Sequence, residues 1–127
     1  MKVTVSEFGD VGKRFTLVGR LDIVGSEAID LPLAVVAGSG TNIVVDLGGV
    51  DFIGSLAMRH LVLAARAVAR RSRNLILLNP RPLVRDALTK AGLIIILRIV
   101  DSEDEAKTAL SGMRDEGSDC RRPALNT

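Results

Sequence analysis

Ser55 stands in Asp51-Phe52-Ile53-Gly54-Ser55-Leu56-Ala57-Met58-Arg59, where a buried strand gives way to a helix. Serine is a preferred N-cap, so the bland expectation for Ser55 is a helix cap. The residue three further on is Met58, not the Glu or Gln of a capping box. The sharper expectation is phosphorylation. Free N–H groups and the dipole at a helix start accept an anion, so a phosphoryl group there would leave the fold intact. The other chemistry-bearing residues offer less. His60 is the single histidine and reads as a packing or surface residue on a helix flank, and Cys120 reads as an incidental thiol. Asp22, Asp46 and Asp51 each follow or close a strand. Three acids at one sheet end could hold a divalent cation, but turn-prone residues of this kind fit better as carboxylates that cap turns. The chain lacks a phosphate-binding glycine loop, a Gly-x-Ser-x-Gly elbow and a dinucleotide glycine fingerprint. No enzyme, cofactor or metal centre is expected.

Composition bounds the rest. The chain has 127 residues, 47% hydrophobic and 25% charged, which suits one globular domain. No apolar run approaches the ~20 residues that span a bilayer. The start, Met1-Lys2-Val3-Thr4-Val5, does not read as a signal peptide, so the expected location is the cytoplasm. One cysteine allows no internal disulfide. A net charge of +2 and only three aromatic residues, Phe8, Phe15 and Phe52, argue against direct nucleic-acid binding.

The elements that must position Ser55 follow from pattern. Lys2 to Phe8 and Arg14 to Val18 alternate as strands around Gly9-Asp10-Val11-Gly12-Lys13, a hairpin. Pro32 complicates the helical stretch that follows, because proline damages a helix interior. The expected helix is therefore Leu31 to Ala37, with Asp30 as N-cap. Thr41 to Leu47 is a strand covered on both faces, and Ser55 to Arg73 is the longest helix. Asn74 to Leu78 is a strand, Leu83 to Lys90 a helix closed by Gly92, and Leu93 to Val100 the last strand. Asp101 opens a final helix to Met113, with Glu103, Asp104 and Glu105 in its first turn. Strands joined through helices make a largely parallel sheet, and the opening hairpin makes it mixed. Residues 114–127 are polar and aperiodic, an expected disordered tail.

At ~100° per residue, Arg59, Arg66, Arg70 and Arg73 fall close to the Ser55 direction on the long helix. Ala57, Leu61, Ala64, Ala65 and Val68 gather opposite, while Val62 and Met58 lie among or beside the arginines. Such a stripe is a solvated basic face or a docking surface for an acidic partner.

These residues carry a resemblance. Gly19-Arg20-Leu21-Asp22 looks like the Gly-x-Leu-Asp of the sulfate-transporter and anti-sigma-factor-antagonist (STAS) domains. Val45-Asp46-Leu47-Gly48-Gly49-Val50-Asp51-Phe52-Ile53 is similar to that family's Val-x-Asp-Leu-Ser-x-Val-x-Phe-Ile run. Gly54-Ser55-Leu56-Ala57-Met58-Arg59 occupies the place of Asp-Ser-Ser/Thr-Gly-Leu, with Gly54 for the aspartate and Leu56 and Ala57 for the two small residues. The resemblance covers nearly the whole chain. It implies an α/β fold: one STAS-like domain over residues 1–113, a mixed sheet and four helices packed mainly on one face. It also implies an anti-sigma factor antagonist that works by partner switching. Such a protein binds an anti-sigma factor that is also a serine kinase, so releasing a sigma factor, and the kinase inactivates it by phosphorylation that a serine phosphatase reverses. By position the modified serine is Ser55, and Asp22 matches the acid near it. The expected partner-binding residues are Asp22, Gly54, Ser55, Met58, Arg59, Val62 and Arg66. Two other readings stay open: a STAS binding module without phosphate control, in a signalling or transport complex, and a small nucleotide-binding regulator. A weak homodimer is open as well.

Overall fold

A computed structural model describes the backbone of residues 1–116 and the side chains to Leu110. The elements are β1 (Lys2–Phe8), β2 (Gly12–Leu21), α1 (Ile23–Gly38), β3 (Asn42–Ile53) and α2 (Ser55–Ala69). They continue as β4 (Leu75–Leu78), α3 (Pro82–Lys90), a 3-10 turn (Leu93–Ile95), β5 (Arg98–Val100) and α4 (Glu103–Glu116). Most of the expected tail, residues 117–127 with Cys120 among them, lies outside the described residues.

The strands lie in chain order, β1-β2-β3-β4-β5. β1 pairs antiparallel with β2, and every later pair is parallel. Successive right-handed crossovers in one direction put α1, α2 and α3 on the same face. The period-2 alternation of the strands then divides the core. Phe15, Leu17, Ile43, Val45, Leu75 and Leu77 pack toward these three helices. Phe8, Val44, Ile76, Leu78 and Val100 pack on the other face with Ala106, Ala109 and Leu110 of α4. The fold is the expected mixed sheet with a hairpin at its start and three of its four helices on one side.

β3 runs on past the expected end at Leu47 to Ile53, and three further element readings need correction. α1 is a 16-residue helix capped by Asp22, not a short one starting after Asp30. The Asp22 carboxylate accepts the Gly25 N–H at 2.9 Å. Pro32 sits inside the helix, where it deprives the Ala28 carbonyl of its donor at a cost of about 3 kcal/mol. Ala28 is exposed to water, and Ile29 and Leu33 on either side of the break are buried. Each such side chain contributes about 1.5–3 kcal/mol, so packing outweighs the break.

The second correction falls on Leu93 to Leu97, which is not strand. Gly92 adopts a left-handed conformation (φ 77°), and the chain then makes a 3-10 turn. Ile94, Ile95 and Ile96 are 49, 88 and 55% exposed, while Leu97 is buried. β4 offers β5 only the three partners Ile76, Leu77 and Leu78, so earlier residues have no strand to pair with. Third, α2 stops at Ala69 rather than Arg73. Ser72 turns left-handed (φ 61°) and the Arg73 N–H bonds the Val68 carbonyl at 2.9 Å, which closes the helix.

Candidate functional site

β2 and β3 are parallel, with Leu21 in register with Ile53, so both strands end at the same edge of the sheet. α1 begins two residues after the first, α2 two residues after the second, and this places Asp22 and Ser55 together. β3 reaches that level because two irregularities give it extra residues against β2, between Thr16 and Val18 and between Gly19 and Arg20. The Gly54 N–H donates to the Leu21 carbonyl at 2.9 Å and ties the start of α2 to the end of β2. Gly25 permits the matching approach of α1, since a Cβ there would stand 2.1 Å from the Arg20 carbonyl oxygen.

The structure corrects the capping reading of Ser55. Gly54 is the N-cap of α2 and Ser55 is the first helical residue; no side chain caps this helix, and its first turn holds no acid. The first helical bond runs from the Met58 N–H to the Gly54 carbonyl. The N–H groups of Ser55, Leu56 and Ala57 thus have no partner within the helix. Ser55 is exposed. Its hydroxyl therefore stands in a positive field with three unclaimed donors nearby, an arrangement that suits an anion.

Two depressions meet at Ser55. One, of about 270 Å³, is lined by Asp22, Ile23, Phe52, Gly54 and Leu56 together with Ser55. The other, of about 430 Å³, runs along α2 past Met58, Arg59, Val62, Leu63 and Arg66 to Leu93. The seven residues singled out in the sequence thus line two adjoining surfaces that share Ser55. Of the expected arginine stripe, Arg59, Arg66 and Arg70 are exposed, and Arg73 leaves it. Arg73 instead donates from Nε to the Gly40 carbonyl at 2.9 Å, at the far end of α2.

The remaining candidates have structural partners. Asp22 is held below the usual carboxylate range, chiefly by the Gly25 N–H and also by the charge of Arg20, whose Nε lies 3.7 Å from it. Asp46 receives Arg14 at 2.6 Å and the Gly48 N–H at 2.9 Å, and its bond to Arg14 raises the guanidinium's pKa. Asp51 is exposed. No cluster of three metal-ligating side chains occurs among the described residues. His60 is largely buried between α1 and α2, its Nδ1 3.7 Å from Asp30.

Residues 3–106 match the family described as STAS domain. The chain belongs to the STAS domain family. A protein of Bordetella bronchiseptica named as an anti-sigma factor antagonist, BtrV, is 28% identical over 94 residues, 73% of this chain and 81% of that one. An anti-sigma factor antagonist from Mycobacterium paratuberculosis superposes with a TM-score of 0.78 at 21% identity, covering 87% of this chain and 93% of its own. The antagonist SpoIIAA in its unphosphorylated form gives 0.73 at 23%, covering 87 and 97%. Its phosphorylated form, from Bacillus, gives 0.65 at 20%, covering 85 and 99%. Among the described residues of this STAS domain, no helix is long and apolar enough to cross a membrane.

Reading the sequence missed four residues beside the candidate site of this STAS domain. Arg20 stacks its guanidinium 4.5 Å from the centre of the Phe52 ring and so bridges toward Asp22. Ile23, Leu56 and Leu63 are 68, 37 and 50% exposed around Ser55 and along α2. Arg20 was legible as the variable position inside Gly-x-Leu-Asp. Leu63 was legible as the apolar residue four after Arg59.

Proposed function

We propose that this STAS protein is an anti-sigma factor antagonist that works by partner switching, with Ser55 as its phosphorylation switch. Unphosphorylated, it binds an anti-sigma factor that is also a serine kinase, and a sigma factor is released. The kinase transfers the γ-phosphoryl group of ATP to Ser55 Oγ, ADP leaves, and the bound complex comes apart. A serine phosphatase resets the protein. The observation that carries this reading is the exposed hydroxyl at an uncapped helix start, shared by two mainly apolar depressions, one of which is lined by Arg59 and Arg66. The names of the similar proteins, and the existence of SpoIIAA in a phosphorylated form, support it.

A second reading, a STAS binding module without phosphate control, draws on one observation: glycine occupies the N-cap where the motif has aspartate. Position 54 has room for the aspartate, because a Cβ would stand 3.4 Å from the Leu21 carbonyl oxygen, and its backbone is extended. Incubation with the anti-sigma factor and ATP, followed by mass spectrometry, separates the two. The switching reading expects one phosphate on wild type, at Ser55, none on Ser55→Ala, and faster transfer to Gly54→Asp. Wild type that binds but stays unmodified would leave the second reading standing.

A further inference from the structure

A surface helix of a soluble domain buries one apolar stripe and shows water a polar one. α1 does not. Ile29, Leu33 and Ala37 are buried beneath it, yet Val24, Leu31 and Val35 are 72, 72 and 62% exposed on the opposite side. The polar residues of this exposed side are Glu27 and Asp30, both acidic. Beside it, α2 exposes Leu56 and Leu63 among Arg59 and Arg66 and carries no acid. The outer surface of the α1/α2 pair is thus half apolar-acidic and half apolar-basic.

The two halves are in register. Leu21 of β2 pairs with Ile53 of β3, each helix starts two residues later, and both run back along the same face. A residue of α1 therefore stands level with the residue about 32 positions on in α2, to within ~3 Å. The approach of Asp30 to His60 and the groove lined by Ala34, Ala37, Leu63 and Ala67 show the two helices side by side. Glu27 is level with Arg59, Leu31 with Leu63, and Val24 with Leu56.

We propose that this α1/α2 surface is an isologous homodimer interface in which α1 of each copy lies on α2 of the other. A two-fold axis parallel to the helices produces that pairing and uses the same patch on both copies. Glu27 then meets Arg59 of the second copy at two symmetric points, with Leu31 against Leu63 on one side of that level and Val24 against Leu56 on the other. An axis across the helices would instead set α2 on α2 and α1 on α1, basic half against basic half and acidic against acidic, which is unfavourable. Charge in register decides both the occupant and the orientation. The α2 half of this interface, Leu56, Arg59 and Leu63, also lines the depressions at Ser55, so dimer and partner compete for it, whereas Glu27, Leu31 and Val35 of the α1 half line neither depression.

Sedimentation velocity of the full chain across a concentration series tests it. Wild type is expected to move from monomer to dimer mass as concentration rises into the high micromolar range. Leu31→Glu, Glu27→Arg and Arg59→Glu should each abolish the dimer, while the double variant Glu27→Arg with Arg59→Glu should restore it. Thermal melts of the variants keep loss of mass from being read as unfolding, and Leu31→Glu and Glu27→Arg should still capture the anti-sigma factor. A wild type that stays monomeric throughout, including one that floats with phosphatidylcholine vesicles through Leu31, would overturn the proposal. So would a dimer that survives Leu31→Glu, or a double variant no better than the single ones.

Discussion

At Ser55 and Asp22 a structural demand on the residue coincides with the functional one proposed for it. Asp22 matches the motif acid proposed to lie near the switch, and in this chain it caps α1 through the Gly25 N–H. That bond favours the carboxylate and lowers its pKa. A carboxyl whose folded pKa is depressed contributes its stability in full above the unfolded value and loses it as pH falls through the folded one. Asp22→Asn keeps a capping oxygen but cannot titrate. The stability advantage of wild type over Asp22→Asn should therefore hold at neutral pH, begin to fall near the ordinary carboxyl value of about pH 4, and vanish once pH drops below the lower folded pKa. Urea denaturation at neutral and acid pH checks this; an advantage unchanged by acid would show that the Gly25 bond does not depend on charge. Ser55 was legible as the head of a helix. Its place as first helical residue rather than cap was not, because glycine is also an accepted N-cap and sequence alone does not say which of two adjacent residues takes the role.

Elements were legible where one local rule acted alone. The hairpin, β4, α3 and the first turn of α4 follow from alternation, proline at a helix start and clustered acids. The failures came where packing overruled local preference. Pro32 argued for a break, but Ile29 and Leu33 hold α1 together across it. Pro32→Ala should restore the donor to the Ala28 carbonyl and raise stability by about 1–3 kcal/mol. Chemical denaturation reads the gain directly, and a loss would mean that the proline ring fills space no alanine can fill. Leu93 to Leu97 misled in the opposite way: a β-branched run was a strand by composition, and the short β4 left it nothing to pair with. α2 keeps its two central arginines on the Ser55 face after losing the stretch beyond Ala69. Arg59→Glu with Arg66→Glu reverses the charge of that groove while both positions stay solvated. The double variant should melt like wild type and lose capture of the anti-sigma factor by a hundredfold or more, since like charges across an interface cost several kcal/mol and each ~1.4 kcal/mol is tenfold. Undiminished capture in a pull-down would remove the arginines from the docking surface.

At the scale of the whole molecule, strand order decides where the proposed switch sits. Laying β1 to β5 in sequence sends α1, α2 and α3 to one face and leaves α4 to close the other. The in-register ends of β2 and β3 then bring Asp22, Phe52, Gly54 and Ser55 to a single edge, where a partner can touch all four at once. That convergence is a property of topology, which is why the motif pieces at positions 19–22 and 45–59 are distant in sequence and adjacent in space. The central claim is that charge at Ser55 governs partner capture without disturbing the fold. A carboxylate at the first helical position favours the helix by roughly 0.3–1 kcal/mol, so Ser55→Asp should fold as well as wild type. Calorimetric titration of wild type, Ser55→Ala and Ser55→Asp with the anti-sigma factor is the most direct measurement. Ser55→Ala should bind like wild type and Ser55→Asp at least tenfold more weakly, a difference of about 1.4 kcal/mol. Equal affinity for all three would contradict the account and leave Ser55 as the first residue of a helix and nothing else.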